Sequence, residues 1–456
     1  MKSKFSKIGF ILAVAGSAVG LGNAWKFPTL VGQNGGSAFI LLYLVLTMCV
    51  GFVVFLAELS IGKISEKDPV NAFKELAPKH KKLWSLAGFT MIGAILVVSF
   101  YSIIIGWIVD YLYVAISGNL ALDIKTSEDY FNNLLSNDFL SQFICFNIVF
   151  FIVFYIVSKG IKNGIEKLNV WMMPSLFILL ILMFGYSISR EGFSQAVEFL
   201  FLPDFSKISL EGVLSALGLA LFSLSVGVGT IITYSASLPD RTNFISSTLN
   251  IIFVNILVGL LMGLIVFTFV FEFNADPALK GPGLIFISLS TLFAKLGFFG
   301  SIFAAAFFIS LIFAGITSAI SMIEPFTFYL INTYNFTRKK SLILIGIVVY
   351  ILGTLCILSY IKSTSADFTF FGKSFFDILD YASSNIILPV GAILSAIFVG
   401  YFMNKERIKK LFHPYLNDAL FEIWYFFLRY ISPLVAIFIL LFSNNIITID
   451  MIRNIF

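Results

Sequence analysis

At 456 residues the chain is only 12 % charged and 59 % hydrophobic, with a mean hydropathy of +0.97. A soluble domain uses roughly 25 % charged residues to cover its surface, so this composition excludes one and points to an all-α integral membrane protein. Three scattered cysteines (Cys49, Cys145, Cys356) and two loop histidines (His80, His413) offer no disulfide framework, no metal spacing and no nucleophile–base cluster, which argues against an enzyme.

A bilayer demands stretches of about 20 mostly apolar residues, because lipid gives backbone groups no partner outside their own helix. Eleven stretches qualify, near 9–30, 37–62, 83–113, 139–158, 167–188, 209–236, 245–273, 297–332, 341–361, 376–403 and 421–446. The semi-apolar segment 274–296, with Pro277 and Pro282, reads as an outer loop containing short helices. No cleavage site follows the basic residues 1–8, so no removable signal peptide is expected.

Charge sets the expected orientation. With the N-terminus in the cytoplasm, twenty lysines and arginines fall in inner loops and eight outside, as the excess of positive residues on the cytoplasmic side requires. An odd number of spans then puts the C-terminus outside. The net charge of +5 is thus a topology signal and suggests no nucleic-acid partner; the basic loops can also touch anionic lipid.

The informative features are interruptions. Span 1 reads AVAGSAVGLGNAWKFP, with Gly16, Gly20, Gly22 and then Pro28; span 6 reads FSLSVGVGTIITY, with Gly227 and Gly229. Glycine costs about 1 kcal/mol in a helix interior relative to alanine, so both segments are poor helices at membrane depth. Close helix packing through small residues is one reading. Unwinding around a polar cavity is the other, and Asn23, Ser223 and Ser225 beside the breaks favour it. The breaks open two sets of five spans, 1–190 and 191–405, followed by a C-terminal span in 406–456. Five spans per set make the second an inverted repeat of the first, and paired broken helices mark the binding site of a secondary transporter.

The residues GSAVGLGNAWKFP, NGG (Asn34–Gly36), Glu58 in LAELSIG, SLSVGVGTIITY and FAGITSAISMIEP resemble, in order and spacing, the neurotransmitter:sodium symporter family, in its shorter bacterial amino-acid branch. The likeness runs through roughly residues 5–403. It implies a sodium-coupled importer in a bacterial cytoplasmic membrane and two sodium ions. One ion would be held by the carbonyls of Gly16, Val19 and Ala314 with the hydroxyls of Thr317 and Ser318. The other would be held by Ala18, Asn23, Ser223, Asn255 and the substrate carboxylate. Alone, Thr317 and Ser318 could equally back-bond to their own helix, and Asn255 could be interhelical glue.

Where monoamine carriers of this family place an acid in span 1, this chain has Gly20. The substrate should therefore bring its own carboxylate, meeting the Leu21 and Gly22 N–H groups and the Tyr101 hydroxyl. Its ammonium would meet Ala18, Phe222 and Ser225, and its side chain Val97, Tyr101, Phe222, Val228, Ser318, Ala319 and Met322. That lining implies a neutral hydrophobic or aromatic amino acid. Lys26 and Asp380 imply an outer gate, with Tyr101 and Phe222 as a lid beneath. Glu58 implies a cap for broken backbone in spans 1 and 6, structural or dynamic, and Glu324 a similar one.

Three departures stand out. The N-terminal Arg-x-x-Trp is replaced by a segment with Phe5, its acidic partner by Asn332, and the chloride-binding Gln and Ser by Leu219 and Gly259, although Tyr43 is kept. A proton-coupled transporter of related architecture, or a substrate-gated receptor or channel, are the alternative readings. The oligomeric state is left open.

Overall fold

The computed structural model describes residues 4–239, 242–278 and 283–444. Among them, nine helices are long and apolar enough to cross a bilayer: Ser37–Ser65, Lys81–Ile116, Phe139–Ser158, Ile161–Ile188, Phe244–Glu272, Phe299–Tyr334, Arg338–Leu358, Phe375–Phe402 and Asp418–Phe442. These are spans 2–5 and 7–11. Span 1 is a pair of half-helices, Lys7–Ala18 and Gly22–Gln33, bent by 48°. Span 6 is likewise two pieces, Leu210–Ser223 and Thr230–Ser235, each too short to cross alone. The chain is thus an all-α membrane protein in which spans 1 and 6 are broken.

Lys2, Arg241, Lys280 and Arg453, counted for orientation, lie outside the described residues, as do Pro282 and the last two residues predicted for span 11. Several spans start earlier than predicted, among them span 3 at Lys81, span 5 at Ile161 and span 9 at Arg338. In these three, the helix runs on through basic residues that hydropathy counts as loop.

Local chemistry explains the boundaries. Side chains of Ser6, Asp138, Ser209, Asn243 and Thr337 cap the first turns of spans 1, 4, 6, 7 and 9, each satisfying an N–H that has no intrahelical partner. Gly35 and Gly36, at φ +83° and +81°, make the reversal between spans 1 and 2 in a backbone region that suits glycine. Pro28 sits in the first turn of the second half-helix, where a missing N–H costs nothing.

Burial sorts the spans. Span 3 is the most enclosed, 83 % of its apolar window lying inside the protein, against 33 % for spans 4, 5 and 11. Span 9 shows Ile343, Ile347 and Ile351, four residues apart, as a stripe suited to lipid. The described part of segment 274–296 contains the short helices Leu284–Leu289 and Ser290–Ala294. Its Phe286 packs on Trp107, Tyr111 and Phe131, covering one end of span 3.

Spans 6 and 10 touch through backbone. A Cβ on Gly227 would strike the Leu388 carbonyl, and one on Gly391 the Gly227 carbonyl. Gly227 also has φ +94°, a conformation that an L side chain resists. Gly227→Ala is therefore expected to destabilise the protein by about 2–4 kcal/mol, read as a melting-temperature drop in detergent. Gly185→Ala, where nothing stands within 4 Å, should change stability by less than about 1 kcal/mol and in the stabilising direction.

Candidate functional site

The break in span 1 frees backbone groups at mid-membrane depth. After Ala18 the Gly20 N–H turns back to the Ala18 carbonyl at 3.1 Å, and the Asn23 N–H to the Gly20 carbonyl at 3.1 Å. The Gly16 and Ser17 carbonyls lose their helical donors and accept from the Ser318 hydroxyl, each at 3.1 Å. The Leu21 N–H donates to the Tyr101 hydroxyl at 2.6 Å.

The break in span 6 covers Leu224–Gly229, with positive φ at Ser225, Gly227 and Gly229. The two breaks are stitched together, because the Ser225 hydroxyl donates to the Ser17 carbonyl at 2.9 Å. Glu58, 1 % exposed, accepts from the Gly227 N–H at 2.9 Å and from the Ser395 hydroxyl at 3.2 Å, both through Oε1. It therefore caps span 6 and reaches span 10. Its bonds do not include span 1, and the expectation that it caps both breaks is corrected.

Two oxygen clusters flank the breaks. In the first, Ser318 meets Gly16 as above, and a Cβ on Gly16 would come within 3.1 Å of the Thr317 Cβ. Thr317 donates its hydroxyl hydrogen to Phe313 and Ala314 carbonyls at 2.9 and 3.1 Å. This is the back-bonding alternative, and it leaves the oxygen lone pairs facing away from the helix. Val19, the remaining residue expected in this set, is the residue at which the helix ends and is fully buried.

In the second cluster, Asn23 Nδ2 donates to the Asn255 carbonyl and Oδ1 at 2.6 and 2.8 Å. Asn255 Nδ2 donates to Tyr43 and Ser223 hydroxyls at 3.1 and 3.2 Å. The Asn23 Oδ1 atom is buried with no hydrogen-bond donor among the described residues. A stranded buried acceptor is costly, and a hard cation prefers such oxygens. Leu219 is buried and a Cβ on Gly259 would meet the Phe27 ring, so neither adds a hydrogen-bond donor beside Tyr43.

Between the clusters lies a small cavity of about 30 Å³. Of the predicted substrate residues, Ala18, Gly22, Val97, Tyr101, Phe222, Ser225, Val228, Ser318 and Met322 line it. Leu21 instead lines a separate cavity of about 180 Å³ above, which shares Gly22, Tyr101 and Phe222 with the lower one. Ala319 lines neither and is fully buried. Ala94 and Leu388 line the lower cavity and were not singled out, since nothing in an apolar run distinguishes a cavity wall from core.

Above this floor, Lys26 Nζ stands 3.5 Å from Asp380 Oδ1 and 3.9 Å from the centre of the Phe222 ring. The ammonium thus clamps spans 1, 6 and 10 by charge and by cation–π attraction. At the start of span 1, Phe5 is buried against Tyr234 and Phe10. Lys4 faces Glu66 at 3.5 Å, and Asn332 donates to Asp68 at 3.0 Å. Glu324 does not cap broken backbone as expected. It takes a two-pronged ion pair from Arg338 at 3.0 and 2.5 Å, and Arg338 also donates to the Val157 carbonyl at 2.7 Å. Their separation of fourteen residues hid this pairing from sequence reading.

The chain's relatives agree with this architecture. A family model described as the sodium:neurotransmitter symporter family matches residues 2–139 and 135–454. The sodium-dependent transporter YhdH of Bacillus subtilis (strain 168) is 37 % identical over 442 residues, 96 % of either chain. A sodium-dependent transporter of Haemophilus influenzae is 33 % identical, covering 96 % of this chain and 97 % of that one. Among solved structures, MhsT in complex with L-phenylalanine superposes with a TM-score of 0.88 at 32 % identity, over 97 % of this chain and 100 % of that chain.

The Glu58 cap makes a stability prediction. Glu58→Leu strands the Gly227 N–H and the Ser395 hydroxyl, each a loss of about 1–3 kcal/mol. Thermal unfolding should show a clear drop, and Glu58→Gln, which keeps an acceptor oxygen, should recover most of it.

Proposed function

The chain belongs to the sodium:neurotransmitter symporter family, and from that premise we propose that it imports a neutral hydrophobic or aromatic L-amino acid with sodium by alternating access. Family membership makes it a multi-pass membrane transporter that depends on sodium, and not an enzyme. The bacterial cytoplasmic membrane, with the N-terminus inside and the C-terminus outside, is our assignment from charge asymmetry and from the Bacillus relative.

One observation carries the choice of substrate class. Position 20 holds glycine, and a Cβ there would come within 2.6 Å of the Tyr101 hydroxyl and closer still to the Ser318 hydroxyl. An acidic side chain has no room at this level. The charge that faces the freed N–H groups of the second half-helix must come from the substrate, and a helix N-terminus favours a carboxylate. The rest of the lining, Val97, Phe222, Val228 and Met322, is apolar or aromatic, and MhsT, the solved relative, holds L-phenylalanine.

In this reading the first cluster, Gly16, Val19, Ala314, Thr317 and Ser318, takes one sodium. The second, Ala18, Asn23, Ser223 and Asn255, takes another, and the substrate carboxylate completes its shell. Sodium then raises amino-acid affinity because the two touch, and linkage makes the effect reciprocal. Tyr101 turns its hydroxyl from Leu21 to the carboxylate, and Ser225 and the Phe222 carbonyl face the ammonium. Leu219 and Gly259 supply neither a donor for chloride nor a carboxylate in its place, so this reading assigns chloride no site. Spans 1, 2, 6 and 7, drawn from both sets of five (1–190 and 191–405), move relative to the rest around this site, with 406–456 as a peripheral span. Lys26, Asp380 and Phe222 close the outer side.

The test is thermal stabilisation of purified protein by each of the twenty amino acids, in sodium and in potassium. Large neutral amino acids should raise the melting temperature in sodium only, by an amount set by about RT ln(1 + [L]/Kd). Stabilisation that is equal in potassium, or strongest for an acidic or basic amino acid, would contradict the proposal. Gly20→Ala should weaken the best ligand at least about tenfold, because a shifted Tyr101 misplaces its hydroxyl by a fraction of an ångström at a site built for contact.

A further inference from the structure

Span 5 carries polar groups that the proposed transport site does not use. Asn169, in its third turn, is completely buried. Its Nδ2 donates to the Ile165 carbonyl at 2.8 Å, which fixes the amide so that Oδ1 is the other end. That oxygen has no hydrogen-bond donor among the described residues. It presses against Gly16: a Cβ on Gly16 would fall on Asn169 Oδ1 and within 3.1 Å of the Thr317 Cβ. A buried amide oxygen left unpaired costs about 1–3 kcal/mol. Here it points at the residue whose carbonyl, with Thr317 and Ser318, forms the first oxygen cluster.

One helical turn earlier lies Glu166. It accepts from the Ser6 hydroxyl at 2.5 Å and from the Ser6 N–H at 3.2 Å. Ser6 in turn caps span 1 by accepting from the Gly9 N–H at 2.9 Å. Gly9 has no side chain because the Glu166 carboxylate fills that place. The start of span 1 is therefore held shut by a carboxylate three residues from the amide that faces Gly16. Residues three apart on a helix share a face, so both act on the same half-helix, Lys7–Ala18, at its two ends.

We propose that Asn169 adds its side-chain oxygen to the first sodium cluster from the cytoplasmic side, and that the Asn169–Glu166 turn of span 5 thereby couples sodium there to closure of the inner end of span 1. This rests on the reading of Gly16, Thr317 and Ser318 as a sodium site. It gives this chain an inner latch in place of the missing Arg-x-x-Trp and acid: sodium draws Gly16 and Asn169 together, which keeps Ser6 on Glu166. When the ion leaves inward, Asn169 loses its reason to face Gly16, and the latch loosens with it.

The test is hydrogen–deuterium exchange of residues 6–18 in the purified full chain, with sodium titrated against potassium at constant ionic strength. In the wild type, sodium should slow exchange with a defined half-point. Asn169→Ala should raise that half-point at least about fivefold, within the usual range of coupling, and Asn169→Asp, which keeps the oxygen and adds negative charge, should lower it. Glu166→Gln should speed exchange near Ser6 at every sodium concentration, saturation included.

Asn169→Ala and Asn169→Asp half-points both within twofold of wild type would overturn the proposal, as would an unchanged Glu166→Gln. Thr317→Val separates the two levels of argument. If it abolishes the sodium response while the Asn169 variants behave as wild type, the cluster is a sodium site and only this inference fails. If sodium slows nothing in the wild type, or Thr317→Val leaves the response intact, the sodium-site reading fails and this inference with it. The Asn169→Asp variant is close to isosteric and guards against a loss of fold being taken for a loss of ligand.

Discussion

The structure depends on one constraint: a helix broken in the middle of a bilayer must find partners for the backbone groups it exposes. Each such group left unpaired costs several kcal/mol in an apolar medium. The partners are specific and come from different spans. Tyr101 of span 3 takes the Leu21 N–H, Ser318 of span 8 serves the Gly16 and Ser17 carbonyls, and Glu58 of span 2 takes the Gly227 N–H. Ser225 joins the two breaks directly. Every one of these bonds is made by a side chain that reaches across to another span, so the breaks also hold the bundle together. In the proposed function the same groups are the polar handles for a small zwitterion and a hard cation, so that structural need and binding chemistry would coincide.

The two ends of the site are closed by different physics. At one end, the Lys26–Asp380 pair is partly exposed, and a point-charge ammonium lacks the fork that makes an arginine pair directional. Its position over the Phe222 ring adds attraction that does not need a bidentate partner. At the other end, the contacts are mostly apolar and backbone-directed. Phe5 packs between Tyr234 and Phe10, its N–H donates to the Ser237 carbonyl at 3.2 Å, and Glu166 holds Ser6. The partly exposed Lys26–Asp380 and Lys4–Glu66 pairs respond to salt, whereas the buried packing of Phe5 is shielded from it.

Much of the architecture was legible in the sequence, for physical reasons. Hydropathy fixes a span because the bilayer has a set thickness, and the glycine clusters around Gly20 and Gly227 announce where helix propensity fails. Where the chemistry depended on distant pairing, the sequence was mute. Nothing local marks Arg338 as the partner of Glu324, or Glu166 as the cap of a serine 160 residues earlier. Glu58 was recognisable as a membrane-embedded acid, but which break it serves depends on how span 2 leans on spans 6 and 10. The small cavity walls Ala94 and Leu388, and the buried face of Ala319, follow from helix rotation, which an almost wholly apolar span 3 or span 8 does not encode in its pattern.

The central claim is that the carboxylate of the ligand and a sodium ion bind together at the backbone freed by the break in span 1. It is tested most directly by comparing L-phenylalanine with phenethylamine, the same molecule without its carboxylate, in a sodium-dependent binding assay on the purified protein. The account predicts that sodium strengthens binding of the amino acid by at least about tenfold, with an equal reciprocal effect on sodium affinity, and that the amine shows no such coupling. Equal sodium coupling for the amine and the amino acid would contradict it.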